Sequence, residues 1–169
     1  PELSLAEVSG KVIEQLQKGT DLVITNFANG DVIGHTSNVD AKIQCVGFVD
    51  QHLGEVIREA RSAGYVILIT ADHGNIEETL TEEGGAHVSH TTNPVPLFVI
   101  DPRSDLPIEP APGKLADIAP TILQIMGLPK PEPMTGESLA SGHAFGNSRK
   151  VLLVILDGWG ISDNPAQDP

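Results

Sequence analysis

Apolar positions along the chain switch between two spacings. Over residues 4–19 they recur every three to four positions, which predicts an amphipathic helix. Ser4 and Glu7 stand at the spacing of a capping box, and Gly19 supplies a stop. Residues 21–26 (DLVITN) form a short apolar run that reads as a buried strand. Residues 27–37, rich in Asn, Gly and Asp, read as a loop. Val39, Ile43, Val46, Val49, Leu53, Val56 and Ala60 then mark one side of a long helix that Gly64 ends.

The second half repeats the alternation. Residues 65–70 (YVILIT) predict a second buried strand, and ADHGN follows it. Residues 79–92 have no clear period. A third strand is predicted over residues 96–100 and a Pro-rich surface loop over 101–113. A helix is predicted over 115–126 with Gly127 as its cap, then an irregular stretch over 129–147. A fourth strand covers 150–156 (KVLLVIL), and Asp157-Gly158-Trp159-Gly160 comes after it. Helices alternating with continuous apolar strands predict an α/β fold: a mostly parallel sheet with helices on both faces. Asp31, Asp72 and Asp157 each follow a strand closely. In open parallel sheets the carboxyl ends of strands form the ligand crevice, so three strand ends would deliver acids to one edge.

Charge narrows the partners. The 169 residues carry a formal net charge of −13, which opposes phosphate backbones and anionic lipid, so neither nucleic acid nor membrane is an expected partner. A phosphorylated metabolite would be repelled too, unless bound divalent cations reverse the local sign. The 40% hydrophobic share is that of a globular protein. No apolar run approaches the roughly 20 residues that span a bilayer. No charged-then-apolar leader is seen, and the chain opens at Pro1, which leaves processing or a longer parent open. Cys45 is the one cysteine, so no intrachain disulfide forms; a reducing, cytoplasmic setting is expected.

Candidate chemistry gathers on the same loops. Asp31 and His35, four residues apart, grip one cation if the segment between them curls. Adjacent Asp72 and His73 do so in a tight turn. His90 lies between turns in VSHTTNPVP. Carboxylate and imidazole donors without thiolates suit Mn, Zn or Fe better than Ca or Mg, and speak against a structural zinc. Two such ions roughly 3.5–4 Å apart would clamp the attacking and leaving oxygens of a phosphoryl transfer. His87 reads as a surface imidazole, Thr36, Ser37 and Ser89 as turn formers, and Trp159 as a packing residue.

NFANGDVIGHT, ITADHGN, SHTTNPVP and VILDGWG together resemble the cofactor-independent phosphoglycerate mutases, members of the alkaline phosphatase superfamily. The resemblance covers nearly all of residues 1–139 and again 150–162. It implies an alkaline phosphatase-like fold and two divalent ions, usually manganese. Asp31, His35 and His90 match the ligands of one ion; Asp72, His73 and Asp157 match protein ligands of the other. It also implies a serine that takes the phosphoryl group from phosphoglycerate and returns it to the other hydroxyl of the glycerate, splitting one hard transfer into two.

Two departures qualify this. The VILDGWG strand opens the family's chain but stands near the end here, which makes the order permuted. Residues 1–139 would then be the main part of a phosphatase-type domain, 140–149 a connector, 150–162 the permuted strand and 163–169 a disordered tail. The family's nucleophile segment and inserted transferase domain, with its arginine-rich pocket, have no counterpart. Arg58, Arg61, Arg103 and Arg149 do not match that pocket. Ser148 echoes the nucleophile's GNS context but precedes a whole strand, at ~3.3 Å per residue some 20 Å or more from the metals. No residue is therefore assigned as catalytic. The expected function is that of a metal-binding phosphatase-type domain of a mutase interconverting 3- and 2-phosphoglycerate in glycolysis, inactive as this chain alone. The alternatives are a stand-alone metal-dependent phosphohydrolase and a non-catalytic metal-binding module completed by a partner chain or a missing domain.

Overall fold

Strand β4 (Val151–Leu156), last along the chain, lies inside the sheet, between β1 (Leu22–Phe27) and β2 (Val66–Thr70). The computed structural model describes residues 1–81, 83–146 and 148–163. β1, β4 and β2 run parallel, and β3 (Leu97–Ile100) closes the order β1-β4-β2-β3 antiparallel to β2. The uninterrupted apolar sequence of β4 (VLLVIL) fits a strand covered on both faces, where either side of the pleat must be dry.

Alternate residues divide between two cores. Ile67, Ile69, Leu152 and Val154 join Val23 and Phe27 of β1 with buried residues of α1 (Leu5–Lys18) and α3 (Val39–Ser62). Val66, Leu68, Val151 and Leu153 face the other way, with Ile122 and Ile125 of α4 (Ile118–Met126) and Phe145. Each such side chain taken from water contributes roughly 1.5–3 kcal/mol before the chain-ordering cost. The α/β architecture with helices on both faces is as expected. Within the stretch read as a connector, Ala140 and Phe145 are in the core, and Arg149 pairs with Asp101.

Three local readings change. Residues 27–37 are not all loop, because α2 (Asn29–Gly34) forms within them. Its Asn- and Gly-rich sequence lacks helix propensity, and burial of Asn29, Gly30, Ile33 and Gly34 holds the turn in place. The Ser4–Glu7 capping box does not form, since Ser4 sits near helical backbone angles and its hydroxyl makes no cap bond. Asn38, by contrast, caps α3 by accepting from the Ala41 amide at 3.0 Å. The buried side of α3 is also turned by one position. It runs through Lys42, Cys45, Val49, His52, Val56 and Ala60, while Ile43 is 51% exposed. Polar tertiary contacts made by Lys42 and His52 override the apolar stripe.

Burial pushes the Cys45 thiol up to about 11, which leaves it unreactive. Among the described residues no helix is long and apolar enough to cross a membrane. The expected tail at 163–169 falls, beyond Asp163, outside the described residues.

Candidate metal centre

The three parallel strands end at one edge of the sheet, and β3, being antiparallel, begins there. That topology delivers every candidate ligand to one place. Asp31 and His35 lie on and just after α2, beyond β1; Asp72 and His73 follow β2; Asp157 follows β4; His90 precedes β3.

Asp31 is the centre of the cluster. Its Oδ1 lies 3.1 Å from His35 Nε2, 3.0 Å from His90 Nε2 and 3.9 Å from His73 Nε2. Asp157 Oδ1 is 3.5 Å from His73 Nε2. Two groups of potential ligand atoms therefore converge: Asp31, His35 and His90, and Asp31, His73 and Asp157. The rings of His73 and His90 stack with centroids 3.9 Å apart. Asp72 stands at the border. Its Oδ1 accepts from the amides of His73 (3.0 Å) and Gly158 (3.4 Å), and its Oδ2 is 3.8 Å from His73 Nε2.

Backbone carbonyls orient two of the imidazoles. His35 Nδ1 lies 2.9 Å from the Val88 carbonyl oxygen, and His73 Nδ1 lies 3.2 Å from that of Gly74. A carbonyl accepts only from an N–H, so Nδ1 of each ring carries a proton, and Nε2 is the atom turned towards the cluster, the arrangement of metal-ligating histidines held by a backbone partner. Burial would raise the Asp31 carboxyl, but the Asn75 side-chain amide (3.0 Å) and the three imidazoles outweigh it and hold it below the usual carboxylate range. The set is carboxylate oxygens and imidazole nitrogens aimed at shared points, which is the chemistry a divalent transition ion takes.

Two polar residues that chain patterning did not single out support this arrangement. Asn75 donates to Asp31, and Glu77, 2% exposed, accepts from several ligand-bearing loops at once. The only hint in the sequence is the pair of carboxylates, Glu77 and Glu78, that begins two places after ADHGN. Trp159 keeps its reading as a packing residue, half-buried against the core. His87 is not a surface imidazole: it is half-buried, its Nδ1 is buried without a hydrogen-bond partner among the described residues, and its carbonyl accepts from Lys42 Nζ at 2.6 Å. Ser148 stands at the opposite end of β4 from Asp157.

The four arginines stand away from this edge. Asp101, Arg103 and Arg149 gather where β3 ends and β4 begins, with Arg149 donating to both Asp101 oxygens at 2.8 and 3.0 Å. Arg58 and Arg61 lie towards the end of α3, which leads into the start of β2. A cleft of about 580 Å³ does open beside Asp72 and His73, lined by Thr91, Val95, Leu97, Lys114 and Ile118 among others.

The chain is 48% identical over 140 residues to a 2,3-bisphosphoglycerate-independent phosphoglycerate mutase of Ruegeria sp. (strain TM1040) and 46% identical to one of Ruegeria pomeroyi. It is 45% identical over 141 residues to one of Rhodopseudomonas palustris. Each match covers 82% of this chain but 27% of the relative, so the chain spans about a quarter of the length of the curated relatives it matches. Residues 1–130 match the model of the Metalloenzyme superfamily. With its candidate ligands gathered at the carboxyl edge of a mostly parallel sheet, the chain belongs to the Metalloenzyme superfamily.

Proposed function

We propose that this chain is the metal-binding, phosphatase-type part of a phosphoglycerate mutase that interconverts 3- and 2-phosphoglycerate, and that by itself it does not complete that reaction. The observation that carries the reading is the convergence of Asp31, His35, His73, His90 and Asp157 at one sheet edge, with the His35 and His73 rings held through Nδ1 by backbone carbonyls. Asp31, His35 and His90 would hold one ion and Asp72, His73 and Asp157 the other, with manganese the proposed metal. When bound, such ions supply charge stabilisation to a transferring phosphoryl group and activate an oxygen nucleophile. Residues 1–139 are read as the main part of the domain, 140–149 as its connector and 150–162 as a strand in permuted order. A glycolytic, cytoplasmic setting goes with this reading.

The rest of the chemistry falls to residues that this chain does not offer. A mutase must hold the phosphoryl group covalently while the glycerate reorients, and no serine of the family pattern matches here. It must also keep the glycerate from leaving, and the arginines lie away from the candidate ligands. Positioning of this kind can supply ~7–11 kcal/mol of a barrier. The missing pocket would come from a further domain or a partner chain.

A second reading, a metal-dependent phosphohydrolase, is favoured by the cleft beside Asp72 and His73, which would seat the organic part of a phosphate ester with Lys114 as its cation. One pair of assays tests both. With manganese, the chain should hydrolyse an aryl phosphate slowly, lose that activity in His73→Ala, and show no conversion of 3- to 2-phosphoglycerate in a coupled assay. Rapid conversion that His73→Ala abolishes would mean that this chain carries a nucleophile and a glycerate pocket after all. Manganese binding with neither hydrolysis nor conversion would rule out the phosphohydrolase and leave a metal-binding part that needs its missing pocket.

A further inference from the structure

We propose that Glu77 is the positioning residue of the metal centre, tying together the three loops that carry His73, His90 and Asp157. The proposal rests on reading the centre as a metal site. The Glu77 carboxylate uses both oxygens. Oε2 accepts from the Asn75 amide at 2.7 Å and the Gly160 amide at 3.0 Å. Oε1 accepts from the Asn93 side-chain amide at 3.0 Å and from the Thr91 hydroxyl. Asn75 is two residues after His73, Thr91 is next to His90, and Gly160 is three residues after Asp157. None of these partners is a candidate ligand, so Glu77 acts through the loops and not on the ions.

The surroundings are built for this side chain. A methyl group at Gly74 would sit 2.3 Å from Glu77 Oε1 and collide with Thr91; one at Gly160 would also sit 2.3 Å from Oε1. Both loops thus bring bare backbone against the carboxylate. Backbone bonds run the same way: the Thr91 amide donates to the Gly74 carbonyl and the Ile76 amide to that of Gly158, both at 2.9 Å. Lys42, fully buried on α3, supplies the nearby positive charge, and its Nζ bonds the His87 carbonyl on the stretch leading to His90.

A carboxylate suits the site because Oε2 faces two backbone amides that can only donate, while Oε1 takes the Thr91 hydroxyl and the Asn93 side-chain amide. Glutamine has the same shape but must turn its NH₂ either to the two backbone amides, leaving them unpaired, or to Thr91 and Asn93, which then have to reverse and give up the Asn93 bond to Glu78. Groups that orient metal ligands from outside the coordination sphere typically change affinity 10–100-fold when lost.

The test is titration of the whole chain with Co²⁺, followed by its visible absorption and by calorimetry. Glu77→Gln should bind about 10–100-fold more weakly than wild type with an altered cobalt spectrum. Thr91→Val, which removes one donor, should fall between them. Val56→Ala, in the core beneath α3, controls for simple loss of stability: it should lower the unfolding midpoint and leave cobalt affinity and spectrum unchanged. Should Glu77→Gln fail to fold, Thr91→Val carries the test. Wild-type binding with unchanged affinity and spectrum in the folded variants would overturn the role of Glu77. Wild type failing to bind cobalt or manganese would overturn the metal reading itself, and this proposal with it.

Discussion

The Nε2 atoms of His35 and His90 face each other at 3.2 Å across 55 residues of sequence, with Asp31 Oδ1 within 3.1 Å of both. The His35 ring is held from behind by its Nδ1 contact with the Val88 carbonyl, which leaves Nε2 as the atom facing the cluster. A cation at that point satisfies all three atoms together. Asp157 and His73 form a similar facing pair beside it, and Asp31 joins both groups.

Filling the centre should stabilise the fold. Asp31 and Asp157 bring negative charge to one small volume beside Asp72, and an ion bound only by the folded state adds RT ln(1 + [L]/Kd). At a hundredfold excess over Kd that is roughly 2.7 kcal/mol. Thermal unfolding with and without manganese checks this, and His73→Ala should erase the difference. An unmoved wild-type midpoint at saturating manganese would count against the site.

Gly158 should prove as sensitive as a ligand. Its φ is +73°, and a Cβ there would lie 2.7 Å from both the amide nitrogen and Cα of Asp31. Those are backbone atoms with little room to move. Gly158→Ala should therefore lower the unfolding midpoint and weaken metal binding together. Gly64→Ala, with φ +78° but open space around the added methyl, should lower the midpoint by about 1–2 kcal/mol in stability and leave metal binding alone.

Asp101 should govern part of the acid response. Burial would raise its carboxyl, but hydrogen bonds from Arg149, the Arg103 amide and His143 outweigh this and hold it below the usual carboxylate range. Unfolded, it titrates near ~3.9. Between that value and its lower folded one, the unfolded chain binds more protons, so this stabilisation is present above about pH 4 and is lost as pH falls through the folded value. Asp101→Asn should flatten the stability–pH slope in that window. At neutral pH it should cost roughly 3–5 kcal/mol, because Arg149 is left buried without its counter-charge. Denaturant midpoints measured from pH 3 to 7 read both effects.

Much of this was legible in the sequence where a residue's place depends on its near neighbours. β1, β2 and β4 announce themselves as apolar runs, and Asp72 and Asp157 follow two of them closely enough for strand ends to locate them. The antiparallel sense of β3 is not legible, yet it is what returns His90 to the same edge. α2 is hidden because an Asn-Gly-Asp composition reads as loop and only its packing makes it helical. Lys42, Asn75 and Glu77 are hidden for a related reason. A buried polar side chain is fixed by partners on distant loops, and patterning along one segment carries no trace of them.

The most direct measurement is anomalous diffraction from crystals of this chain grown or soaked with manganese, collected at the manganese edge. The account predicts two peaks roughly 3.5–4 Å apart, one bounded by Asp31, His35 and His90 and the other by His73 and Asp157 with Asp72 drawn in. Both should vanish in His73→Ala or fall to a single weaker one. Well-diffracting crystals with no peak among these residues, or with manganese bound elsewhere on the acidic surface, would contradict it.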